Sequence, residues 1–469
     1  MLRDLPMSPR QRAVSLTIAL ASSCSGADQP APCDGRSDAV TASMAGEPSA
    51  PAAWSDAWIL DEGTRFRKDT GYRRAVLERS LVNPTNLYSR QRLASYGLGS
   101  AGWDKLPVWN PRSRPVDREA AARLARGDVP DPPSQLLWDG VEPTTMSGWV
   151  ALGQRVFLEY PMRAEVFMEW GLTRPAVAAA VGVDRPGDGS VPGLVVFADV
   201  DGQARVGITC AICHADVRNG AMVAGAARRR FDYGRLRLAY YDDTGGAVAP
   251  ALARRMAHWG PGRADVTEDD DEDPVAIPDL WGLRAQRFLT QTGAIRHDTP
   301  VALAIRQETQ LIDSNHAMVR PPRALSWALT TYVYSLMPPP RPAGVSSDGR
   351  PTSEGAALFS QHCAGCHANA AYGGATLPAL DIATDPALAR GRGRGTGSYR
   401  VPTLLGVEGG APYLHDGTVG SLRELLSPAR LEPDYAGGRF GPGPIPGHRA
   451  GTDLTEAERA TLIDHLGTL

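Results

Sequence analysis

Six cysteines and nine histidines are the residues best able to do chemistry in this 469-residue chain. Four of the cysteines fall in two matching runs, Cys210-Ala211-Ile212-Cys213-His214 and Cys363-Ala364-Gly365-Cys366-His367. Two thiols three positions apart lie on one helical turn, where both can add across the vinyl groups of one haem. The histidine that follows then falls beneath the iron as an axial ligand. A split four-cysteine zinc site or a pair of redox dithiols would use the same cysteines. Neither explains why histidine follows both pairs. The runs predict two covalently bound c-type haems, anchored by Cys210, Cys213, Cys363 and Cys366, with His214 and His367 as proximal iron ligands.

Such runs need helices around them, and the chain supplies these twice. Glu354-Gly355-Ala356-Ala357-Leu358-Phe359 leads into the second run, and Gly153-Gln154-Arg155-Val156-Phe157 stands upstream of the first. Thr455 and Glu458 form a capping box at the start of a closing helix, in which Ala457, Leu462, Ile463 and Leu466 recur at helical spacing. Residues 324–336 give a matching closing helix upstream. Between these elements, Ile277-Pro278-Asp279-Leu280-Trp281-Gly282 matches Val401-Pro402-Thr403-Leu404-Leu405-Gly406, and Gly293 matches Gly417 at the same offset. An ordered series of matches at one offset is the mark of an internal duplication. The expected fold is mainly α and loop-rich: two cytochrome c-like haem domains at 145–337 and 353–469, joined by a proline-rich linker at 338–352. Residues 54–144, rich in tryptophan and proline, read as a loop-rich N-terminal extension.

The net charge is −3, which argues against a nucleic-acid partner. Lys68 and Lys105 are the only lysines, so arginine carries the rest of the positive charge. Residues 1–23 read as an export signal. Arg3, Arg10 and Arg12 precede an apolar stretch at 13–21, and small residues follow. Leu20-Ala21-Ser22-Ser23-Cys24 is similar to a lipoprotein box shifted by one residue, which makes Cys24 a candidate lipid anchor. Residues 24–53, which include Cys33, read as a flexible tether. The expected location is periplasmic or secreted, with membrane contact only through Cys24.

Arg400-Val401-Pro402-Thr403-Leu404, Ala411-Pro412-Tyr413-Leu414-His415-Asp416-Gly417 and Ser421-Leu422-Arg423-Glu424-Leu425-Leu426 resemble the C-terminal half of bacterial dihaem cytochrome c peroxidases. Gly447-His448-Arg449-Ala450-Gly451-Thr452-Asp453-Leu454 is similar to the branch that includes rubber oxygenases. The resemblance covers about residues 353–469 and is weaker upstream. It implies an oxidoreductase that takes electrons from a small redox protein or a quinol chain. One haem would store electrons and the other would react with peroxide or dioxygen. A dihaem carrier without chemistry of its own is the alternative.

The sixth ligands separate these readings, because only an open axial position admits an oxidant. No methionine follows Met337, so the second domain has no methionine ligand to offer. His448, in a glycine-rich loop before the closing helix, is the expected distal ligand there, with His415 as runner-up. His316 stands almost as far before Leu336 as His448 does before Leu469, which makes it the symmetric candidate for the first haem. Met318, His297 and Met222 are the other candidates. Glu308 would act as acid–base at an open first site. The acidic block at 268–273 offers oxygen ligands of the kind Ca²⁺ prefers, and the resemblance implies calcium between the domains. Trp259 and Trp281 flank that block; in the family a tryptophan between haems can relay electrons, though each also reads as a core residue.

Overall fold

The computed structural model describes residues 54–265, 269, 273–340 and 352–469, all of which belong to one compact unit spanning residues 48–469. The export signal, the tether with Cys24 and Cys33, most of the linker and most of the acidic block lie outside the described residues. The chain is mainly helical and loop-rich, as expected. No helix among the described residues is long and apolar enough to cross a membrane.

Seven helices frame the sites: α1 (Asp56–Lys68), α2 (Met146–Glu159), α3 (Ala211–His214), α4 (Pro300–Ser314), α5 (Arg323–Ser335), α6 (Thr352–His362) and α7 (Glu456–Leu466). Two helix crossings are built the same way. Helix α2 packs on α5, and α6 packs on α7. Each crossing is closed at a glycine. A Cβ on Gly153 would lie 1.9 Å from the Ala328 carbonyl oxygen, and one on Gly355 would lie 2.5 Å from the His465 Cβ. In both opening helices a phenylalanine follows one turn later, and Phe157 and Phe359 are buried. The expected capping box is present on α7, with Thr455 and Glu458 bonding reciprocally.

The extension is a correction to the loop-rich reading. Its first part folds as three helices, Asp56–Lys68, Thr70–Ser80 and Leu87–Ser95. Asp69 ends the first and caps the second, accepting the Tyr72 N–H at 2.8 Å. Trp327 of α5 lies against Gly63 of α1, and Ile59 and Phe66 of α1 are fully buried in the same core. An apolar stripe at helical spacing outweighed the prolines, which gather downstream in residues 107–143.

A four-stranded antiparallel sheet packs beside α2 and leads into the first cysteine run. Its strands are β1 (Arg112–Pro115), β2 (Arg163–Ala164), β3 (Leu194–Ala198) and β4 (Ala204–Ile208), in the order β1-β3-β4-β2. Leu194 pairs with Ile208 and Ala198 with Ala204. Strand β4 ends two residues before Cys210, so the sheet leads directly into α3.

The crossing geometry yields a direct test. Gly153→Ala should destabilise the protein by about 2–3 kcal/mol or more through overpacking. Gly71→Ala, a helical position where the added Cβ meets only the Asp69 side chain at 3.4 Å, should stabilise by about 0.5–1 kcal/mol. Urea denaturation of both variants against the parent checks the pair.

Candidate functional site

The first cysteine run forms the short helix α3, as its spacing requires. Cys210 and Cys213 carry free thiols. Burial pushes them up to about 12 and about 11, so both are protonated at neutral pH. The His214 Nδ1 lies 3.1 Å from the Pro278 carbonyl oxygen. A carbonyl only accepts, so Nδ1 carries the proton and the Nε2 lone pair is free for a metal. Burial holds this imidazole at about 4, which keeps it neutral at pH 7.

The second run repeats the arrangement. The His367 Nδ1 lies 2.6 Å from the Tyr372 carbonyl oxygen. The Pro402 carbonyl also bears on His367, and burial lowers this imidazole too. Asn369 shapes the loop that presents Tyr372, its Oδ1 accepting the N–H groups of Ala371 and Gly373, each at 2.9 Å. Pro278 and Pro402 are the prolines that the sequence matches at one offset. Gly282 and Gly406, four residues on, adopt left-handed backbones with φ 70° and 66°. Gly293 and Gly417 do so with φ 64° and 69°. The two proline segments face each other: the Thr403 hydroxyl donates to the Trp281 carbonyl at 3.0 Å. Trp281 is buried at this junction, whereas Trp259 lies beside Tyr233 with ring centroids 5.9 Å apart.

His448 is brought to the second run. Its imidazole is pushed down to about 4 by burial, and His367 and Arg430 add repulsion. The His448 Nδ1 is buried with no hydrogen-bond partner among the described residues. Two neutral imidazoles close together, one with an orphan nitrogen, suit the two faces of one haem iron. Arg430, fully buried, holds the loop: its Nη2 donates to the carbonyls of Gly447 and His448 at 2.8 and 2.7 Å. Sequence reasoning passed over Arg430, for which a lone arginine between Ala429 and Leu431 gives no signal. His415 instead stacks on Tyr399, with ring centroids 4.0 Å apart.

The remaining candidates do not gather at His214. His316 is exposed in the turn after α4, with φ 60°. Met318 and Met222 are exposed. His297 is buried with both ring nitrogens engaged: Nδ1 donates to the Gln286 carbonyl at 2.7 Å, and Nε2 accepts from the Tyr334 hydroxyl at 2.6 Å. Glu308 is corrected from acid–base to structural. It accepts from the Tyr96 hydroxyl at 2.7 Å and pairs with Arg323 at 3.2 Å, fully buried. The residue of α4 that bears on His214 and Cys210 is Arg306. Two helical positions turn a side chain by roughly 200°, so Glu308 faces elsewhere.

Among the described residues, no three His, Cys, Asp or Glu side chains converge as a metal site, which leaves the split zinc reading without geometry. The calcium expectation falls mostly outside the described residues. Asp269 is described and buried, and its Oδ2 accepts the Gly393 N–H at 2.5 Å.

No protein-family model and no curated protein matches the chain. Among solved structures, one similar chain is described as a MauG-like protein associated with microbial copper homeostasis. It shares 17% identity over 45% of this chain and 79% of that one, with a TM-score of 0.28. That score does not establish a shared fold, and the copper association is a property of that protein.

His297 predicts a pH dependence. Burial lowers it from 6.5 to about 4. The unfolded chain therefore takes up a proton below about pH 6.5 that the folded chain refuses until about pH 4. This contribution is fully present above pH 6.5 and is lost as pH falls through that window, by up to about 3 kcal/mol. In His297→Gln, the slope of unfolding free energy against pH between 6.5 and 4 should decrease by close to one proton. An unchanged slope in urea titrations would place the proton elsewhere.

Proposed function

We propose that this protein is a dihaem c-type oxidoreductase. His367 would hold a haem that supplies electron storage, and His214 would hold one that supplies chemistry on a small oxidant, peroxide or dioxygen. The observation that carries the reading is the pair of tied imidazoles. In each cysteine run the histidine next to two half-buried, free thiols has Nδ1 bonded to a backbone carbonyl, which leaves Nε2 for iron. A zinc or dithiol role for the cysteines gives those two bonds no purpose.

A c-type haem with two protein ligands exchanges electrons, and one with a free axial position takes up an oxidant. His448 supports two protein ligands at the second run, and Arg430 fixes its backbone there. At the first run the sequence candidates point elsewhere: His316 is exposed and His297 has no free nitrogen. That asymmetry supports an open position opposite His214. Arg306 places a positive charge near His214. Trp281 lies between the two proline segments, where it would bridge the haems. The sequence features at residues 1–24 support a periplasmic or secreted protein, with a small redox protein or quinol chain as donor.

Covalent attachment is the first expectation. Haem should remain with the polypeptide after acid–acetone extraction, because thioether bonds survive loss of the iron ligand. Complete extraction from the wild type ends the dihaem reading. Electron paramagnetic resonance of the oxidised protein then counts spin states: one high-spin and one low-spin haem fit the enzyme, and two low-spin haems fit a carrier.

His448→Ala should convert the second haem from low to high spin while leaving the first unchanged. A low-spin signal that survives at that haem would move the distal role to His415.

A further inference from the structure

Beside the first cysteine run the protein buries a charge that it does not neutralise. Arg228 is 0% exposed, and its Nε, Nη1 and Nη2 find no hydrogen-bond partner among the described residues. An uncompensated ion in a protein interior costs several kcal/mol. Buried polar groups are almost always bonded, so three orphan nitrogens on one guanidinium mark a partner that the polypeptide does not supply. Burial lowers the affinity of Arg228 for its proton, yet an arginine keeps its charge in proteins.

The position of Arg228 is fixed on both sides. Its N–H donates to the Cys213 carbonyl at 2.9 Å. The Ala227 N–H donates to Asp279 Oδ1 at 2.7 Å, and Arg229 reaches Asp279 Oδ2 at 2.7 Å and the Ile277 carbonyl at 2.6 Å. The segment is thus stitched to the attachment helix and to the proline segment whose Pro278 holds His214. The carboxylates that bear on Arg228 are committed to other arginines. Asp216 pairs with Arg218 at 3.0 Å and Asp184 with Arg230 at 3.2 Å.

We propose that Arg228 binds a propionate carboxylate of the haem attached at Cys210 and Cys213; the proposal rests on the dihaem reading. The guanidinium fork matches a carboxylate with two parallel hydrogen bonds. A haem brings its carboxylates into the pocket by covalent attachment, so a fully buried arginine reaches one without an entry path for a dissolved anion. The pair also sets the iron's redox balance. With Arg228 present the propionate charge is neutralised. Without it, a buried negative charge near the iron favours the ferric state and lowers the reduction potential.

The test uses the holoprotein and the variants Arg228→Met, Arg228→Gln and Arg228→Lys. Pyridine haemochrome assays count covalent haems, and spectroelectrochemical titration reads both potentials. We expect two haems in each protein. One potential should drop in the Met and Gln variants by at least the ~59 mV of a tenfold change in a one-electron equilibrium. The Lys variant should recover part of it, and the other potential should stay. Reduction-induced infrared difference spectra should show an ion-paired propionate band in the wild type, a readout that needs no variant to fold. A wild type without covalent haem defeats the dihaem reading itself. Two haems with unchanged potentials in both neutral variants, or a wild type without the ion-paired band, overturns only the role of Arg228. A wild-type potential that follows chloride or phosphate concentration, and ceases to do so in Arg228→Met, assigns the site to a dissolved anion and overturns the propionate.

Discussion

Much of this structure is arranged around one kind of hydrogen bond: an imidazole Nδ1 held by a backbone carbonyl. His214 leans on Pro278 and His367 on the Tyr372 and Pro402 carbonyls. The bond needs a carbonyl delivered to a point beside the cysteine run; for His214 it comes from Pro278, 64 residues on, and for His367 from Tyr372 in the next loop, with Pro402 bearing on it as well. That explains why the proline segments carry left-handed glycines four residues on, since the chain must turn sharply away after each carbonyl is presented. It also explains why the two segments touch, with Thr403 bonded to the Trp281 carbonyl.

Two helix crossings supply the frame in which those bonds can form. Each depends on a glycine whose missing side chain lets backbones meet. The closeness at Gly153 and Gly355 fixes how far each closing helix stands from its cysteine run. The helices of the extension reinforce the first crossing, because Gly63 admits the Trp327 ring. The four-stranded sheet has no counterpart in the second half among the described residues, and it enlarges the first half on the side from which Cys210 emerges.

The polar groups left unsatisfied are where the protein alone is incomplete. The His448 Nδ1 and the whole Arg228 guanidinium are buried without partners among the described residues. Both sit beside a cysteine run, one near His367 and one bonded through its backbone to Cys213. Two carboxylates of the interior are matched: Glu308 has Tyr96 and Arg323, and Asp279 has Arg229. In the proposed reading these orphans are the protein's half of contacts whose other half belongs to the haem.

Covalent and local features were legible in the sequence. The two cysteine runs, the capping box at Thr455 and the opening and closing helices rest on short-range spacing, which the backbone's periodicity dictates, and the matched prolines on a constant offset between two stretches of sequence. The extension was misread because prolines were weighed above an apolar stripe that only tertiary burial rewards. The role of Glu308 was misread for a related reason. A helix face is visible in sequence, but which neighbour meets it is not. Arg306 meets the His214 side and Glu308 meets Tyr96 and Arg323 because of how α4 is rotated within the core. Likewise sequence spacing made His316 the symmetric counterpart of His448. The fold separated them, carrying one to His367 under the grip of Arg430 and leaving the other in an exposed turn. Residue type and spacing thus set which groups could act, while long-range packing decided which of them meet.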